Sequence, residues 1–178
     1  MKLKLLAGIL TSVGLILGNA IAFVPESEAS SKNTYYCAQL QGTWNTFVNT
    51  PRGRIKLVGW ETKFSEEWTP QKRCVEVSGR FQNFLESGTL KYIRTGVVNN
   101  LPVICVAQIR GEVCPEQNVL ITFKPDTDPE QVLIKLVDFR RSVSGQTIVL
   151  NENDAAFYSQ GEFYVDVQKF LENIPTEE

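Results

Sequence analysis

Four cysteines, Cys37, Cys74, Cys105 and Cys114, are the residues of this 178-residue sequence best able to do chemistry. A thiolate is a nucleophile and a metal ligand, and two oxidised thiols form a cross-link. Histidine is absent, so no Ser-His-Asp triad, Cys-His dyad or histidine metal cluster can be assembled from this chain. Paired C-x-x-C spacing is missing too, which leaves no familiar zinc site. An even cysteine count after an export-type leader points instead to two disulfides. Three pairings are open. The spacing favours Cys105 with Cys114, because VICVAQIRGEVC reads as a strand turning back near Arg110-Gly111. Cys37 would then join Cys74. No cofactor or metal is expected.

Other candidates weigh chemistry against plain structure. Glu61, Glu66 and Glu67 stand beside Trp60 and Trp68, a layout of carboxylates and aromatic platforms found at sugar sites. A hydrolase or carbohydrate-binding enzyme using Glu66 or Glu67 is therefore the alternative to a binding module; a solvated loop is the simpler account. Asp126, Asp128 and Glu130 have calcium-like spacing but lack the glycine and further ligands of an EF-hand. Helix capping and first-turn charge explain Asp128 and Glu130. Arg52, Arg54 and Lys56, with Arg140 and Arg141 farther on, suggest anion patches, although Arg52 and Arg54 also simply flank a turn. Trp60, Trp68 and Arg73 form the expected binding patch, on condition that they reach the surface, since exposed tryptophan marks an interface.

These residues must be held by a modest set of elements. The leader MKLKLLAGILTSVGLILGNAIAF has a basic start, an apolar run and small-x-small cleavage patterns, so residues 1–29 read as a signal peptide cleaved after 22 or 29, or as a retained membrane anchor. Residues 30–174 are expected to form one α+β domain and 175–178 a tail. GTWNTFVNT and RIKLVGWET read as strands around a Pro51-Arg52-Gly53 turn. TPQKRCVEVSGRFQNFLESG reads as a helix: Thr69 caps it, Pro70 opens it, and Gly88 ends it. Cys74, Val77, Phe81, Phe84 and Leu85 make its apolar stripe. Arg73 and Arg80 would lower the Cys74 pKa if that thiol were exposed, but its place on the stripe favours a bridge.

TLKYIRTGVV and LPVICVAQI follow as strands around Asn99-Asn100, and VLITFK adds another. Asp128-Pro129-Glu130-Gln131 opens a second helix in capping-box style. TIVLNEND is a short strand or loop, and YVDVQKFLENI a closing short helix. The fold class is thus α+β, a mostly antiparallel sheet packed against two main helices and stapled by two disulfides. Lysine and arginine number 18 against 20 acids, a net charge of −2, so the chain has no general attraction for nucleic acid.

The runs YYC, GWETKFSEEWTPQKRCVEVSGRFQNF, GTLKYIRTGVVNNLPVICVA and VLITFKPDTDPEQVLIKLVDFR, spanning Tyr36 to about Arg141, together resemble the circadian oscillating protein family of cyanobacteria. The matching positions include Trp60, Phe64, Pro70, Arg73, Cys74, Arg80, Phe81, Gly88, Gly96, Asn99, Pro102, Cys105, Cys114, Lys124 and Pro125. WNTFVNTPRG departs from the pattern, which makes that surface individual. The resemblance implies an exported protein of the periplasm, thylakoid lumen or a membrane face, and carries no catalytic residues. The expectation is a non-catalytic accessory or binding protein whose partner is another protein or an envelope component. A purely structural envelope component is the third reading.

Overall fold

Residues 33–143 and 154–176 are described by the computed structural model, without the side chains of 138–143. The leader, all of TIVLNEND except Asp154, and the Arg140 and Arg141 side chains lie outside the described residues. Three strands come first: β1 (Thr34–Leu40), β2 (Thr43–Thr50) and β3 (Gly53–Trp60). They pair antiparallel in the order β1-β2-β3. Gln41-Gly42 joins the first two, with φ of 49° and 81°. Two left-handed residues in a two-residue loop match the twist of the flanking strands. The register of β2 and β3 slips where Thr46 faces Val58 but Phe47 faces Lys56, so Leu57 is the extra residue of a bulge.

Helix α1 (Pro70–Glu86) packs on this sheet. Thr69 Oγ1 accepts from Lys72 N at 3.2 Å, Pro70 occupies the first turn, and Gly88 at φ 71° follows the Ser87 cap. Its buried face is Cys74, Val77, Ser78 and Phe81, with Phe84 and Leu85 packed against the core. Burying a side chain the size of Val77 or Phe81 contributes roughly 1.5–3 kcal/mol. Tyr35 of β1 stacks on Phe81 at 5.0 Å and donates its backbone N–H to Gln82 Oε1.

A second antiparallel sheet follows: β4 (Tyr92–Val98), β5 (Leu101–Ala107), β6 (Val119–Thr122), β7 (Ala156–Ser159) and β8 (Glu162–Asp166), in the order β6-β5-β4-β8-β7. Asn99-Asn100 makes the β4–β5 hairpin, both residues at positive φ. Helix α2 (Pro129–Val143) packs on β4 and β5, and α3 (Val167–Asn173) is the last described element. One apolar core joins the two sheets and the three helices, from Tyr35 and Val48 through Cys74 and Phe81 to Leu133, Phe163 and Phe170.

Two particulars differ from expectation. The sheet is divided in two, because the chain leaves β3 through a loop into α1 and begins pairing anew at β4. YVDVQKFLENI is half strand and half helix: Tyr164 to Asp166 belong to β8, and Asp166 Oδ1 caps α3 by accepting from Lys169 N.

The bridges are Cys37–Cys74 and Cys105–Cys114, with Cα separations of 5.5 and 5.8 Å. The first ties β1 to α1. The second closes the connection after β5 rather than joining paired strand residues, since Cys105 faces Val119 in the ladder. Cys114 folds back over β4 instead. A Cβ on Gly96 would lie 2.5 Å from Cys114 Sγ, so glycine is required there by the cross-link.

Candidate functional site

Arg73 is the centre of the candidate site. It lies one turn into α1, where the Thr69 cap fixes the start of the helix, and its guanidinium is 4.6 Å from the Trp60 ring centroid and 5.7 Å from that of Phe64. Partial burial pulls its pKa below the usual guanidinium value; an arginine stays charged all the same. No carboxylate among the described residues pairs with it. Cation–π contact with two rings holds the group in place but leaves its N–H donors for something else.

Arg73 is shared by two hollows. The larger, about 960 Å³, runs between β3 with its following loop and the side of β5, β6 and α2. The smaller, about 210 Å³, is bordered by Phe64, Trp68, Arg80, Leu101 and Leu120. Trp60 borders only the first and Trp68 only the second. The three expected patch residues are therefore neighbours through Arg73, on different hollows.

Trp60 does not meet the condition of surface exposure: it is 4% exposed. Its Nε1–H donates to Thr46 Oγ1 at 3.0 Å, and Ser78 Oγ donates to the same oxygen at 3.0 Å. The Arg73 guanidinium, from α1, covers one face of the ring. Trp68 is half-buried under Lys72 Nζ, 4.6 Å from the ring.

The other candidates are accounted for locally. Glu66 pairs with Lys63 at 3.1 Å and Glu67 with Lys72 at 2.8 Å, both carboxylates largely in solvent and neither bordering a hollow. The Lys72 hydrogen bond and charge hold the Glu67 carboxyl below its usual range. Asp128 Oδ1 accepts from the backbone of Glu130 and Gln131, as a cap does, and Glu130 accepts from Tyr158 O–H at 2.8 Å. Among the described residues no group of three or more metal-ligating side chains could hold an ion. Arg54 lies over the Phe47 ring. Arg52 donates to the carbonyls of Leu171 and Ile174, at 2.9 and 3.2 Å, and of Glu172. It caps the C-terminus of α3, where a cation suits the helix dipole. Arg80 donates to the Leu120 carbonyl at 3.2 Å.

Reading the sequence missed Arg94, a charge 7% exposed inside β4. It pairs with Glu162 at 2.5 Å and donates to Tyr164 Oη and to the carbonyls of Thr95 and Glu112. An arginine inside the apolar run YIRTGVV was the available signal. Lys124 and Lys135, on the rim of the larger hollow, were also missed because they lie apart in sequence.

A family model described as circadian oscillating protein COP23 matches residues 34–172. The chain belongs to this family. The match takes in both disulfides, α1 with Arg73, and the strands around the larger hollow, so the COP23 region and the described fold nearly coincide. No curated protein and no solved structure matches the chain. Two disulfides among four cysteines fit an oxidising compartment. No helix among the described residues is long and apolar enough to cross a membrane.

Proposed function

We propose that this COP23-family chain is a non-catalytic, extracytoplasmic binding protein that holds its partner in the groove beside Arg73. The observation that carries the reading is Arg73 itself: a half-buried guanidinium, unpaired with any described carboxylate and stacked on Trp60 and Phe64, opening on about 960 Å³ of hollow. Half-burying a charge is costly unless something pairs with it, and a concave hollow where charged side chains converge beside apolar ones is the ordinary place to look for a binding site. The bridges support a setting in the periplasm, thylakoid lumen or at a membrane face. Glu66 and Glu67, solvated, paired with Lys63 and Lys72 and themselves outside the groove, favour binding over hydrolysis.

Hydroxyl-radical footprinting of the protein in its own envelope, against the purified chain, tests this. Phe64, Phe123 and Leu136 on the groove should be labelled less in the envelope, while exposed Gln168 of α3 is labelled equally in both. Equal labelling of the groove residues would contradict the proposal.

A further inference from the structure

One wall of the groove is a strand edge. Among the described residues β3 ends its sheet and pairs only with β2, and from Lys56 to Trp60 no backbone hydrogen bond joins its outer edge to another described segment. Lys56, Leu57, Val58, Gly59 and Trp60 all border the groove. Side chains alternate between the two faces of a strand, so an unbroken run of lining residues places the backbone edge itself against the hollow. The opposite wall is α2 and the inner side of β5 and β6, where paired Ile104 and Ile121, 3% and 6% exposed, form an apolar floor.

The rim is cationic. Lys63, Lys124 and Lys135 are exposed there and Lys56 and Arg73 half-buried, against the single acid Glu61. Lys63 has Glu66 as partner; Lys56, Lys124, Lys135 and Arg73 have no carboxylate among the described residues. In a chain of net charge −2 this is a local concentration of positive charge.

Resting on the reading of this groove as the binding site, we infer that its occupant is an extended polypeptide segment alternating acidic and apolar residues, added as a further strand on β3. Strand addition uses the free backbone groups of an edge for affinity and alternate side chains for selectivity. Apolar side chains of such a segment meet Ile104, Ile121 and Phe123, while acidic ones meet Lys56, Lys124, Lys135 and Arg73. Charge decides which strand is accepted. A second copy of this edge would bring the same cationic rim against itself. An acidic strand is attracted where a basic one is repelled.

The test is fluorescence anisotropy of a labelled synthetic peptide alternating glutamate with valine, on the disulfide-bonded protein. Two further peptides carry N-methyl groups on all glutamates or on all valines, each blocking one backbone edge. The expected result is binding that weakens with salt, that one N-methylated peptide retains and the other loses roughly tenfold or more, and that falls by a similar factor in Lys124→Glu/Lys135→Glu. Both N-methylated peptides binding, or both failing, overturns strand addition. Peptides that fail while decanoate binds in an Arg73-dependent way overturn the peptide proposal but leave the groove as the site. Peptide binding unchanged by Lys124→Glu/Lys135→Glu overturns the groove as its seat as well.

Discussion

Single atoms decide more here than residue class suggests. Tyr35 carries a buried hydroxyl with no hydrogen-bond partner among the described residues, directly beside its stack on Phe81. An unsatisfied buried polar group costs about 1–3 kcal/mol, so Tyr35→Phe should leave stability equal or raise it by about 1 kcal/mol in urea unfolding. A clear loss would mean the hydroxyl is satisfied. Burial also keeps this hydroxyl protonated well above its ordinary range. Above about pH 10 the unfolded chain therefore gives up the proton first, and stability falls as pH rises. That fall should be shallower in Tyr35→Phe. Gly96 is the opposite case, a position with no room. Gly96→Ala places a methyl 2.5 Å from Cys114 Sγ and should cost about 1–3 kcal/mol, as overpacking does. Thiol titration should detect unpaired Cys105 and Cys114 in a fraction of that variant, and a fully bridged protein of unchanged melting temperature would contradict the account.

Elements were legible where local chemistry announced them. Thr69-Pro70 and Asp128-Pro129 mark helix starts on their own, Gly88 marks an end, and Asn99-Asn100 a turn, and each stands where the spacing put it. The hairpin of β7 and β8 was not legible. It turns on Gln160-Gly161, and glutamine is a weak signal for a left-handed position that it nevertheless occupies at φ 53°. The division of the sheet was equally hidden, since pairing partners far apart in sequence leave no local trace. The candidate site suffers most from this. Arg73 could be singled out from sequence, but the lysines that share its groove come from β3, the segment after β6, and α2. Arg52 shows the same limit: a turn residue by sequence, it caps a helix 119 residues away. Arg52→Met should lower stability by about 1–2 kcal/mol and speed amide exchange in α3, with Arg52→Lys intermediate. Unchanged exchange in α3 would show that the cap contributes nothing.

At the scale of the molecule, the two bridges are unequal staples. Cys37–Cys74 spans 37 residues and joins a sheet to the helix that bears Arg73; Cys105–Cys114 spans 9 and constrains one connection. The loop-entropy relation gives about 4 kcal/mol for the first and about 2.5 for the second. Cys37→Ala/Cys74→Ala should therefore destabilise the chain more than Cys105→Ala/Cys114→Ala, and the reverse order in urea unfolding would contradict that ranking. The first bridge also fixes α1, which bears Arg73, to β1 of the sheet whose β3 edge borders the groove. The central claim, that the groove at Arg73 is where a partner sits, is tested most directly by photo-crosslinking in the native envelope. A photoreactive side chain replaces Thr62, exposed on the groove, or Gln168, exposed on α3. A discrete adduct from the Thr62 position, absent from Gln168 and lost with Arg73→Leu, is the predicted result. No adduct at Thr62, or the same adduct from both positions, would contradict it.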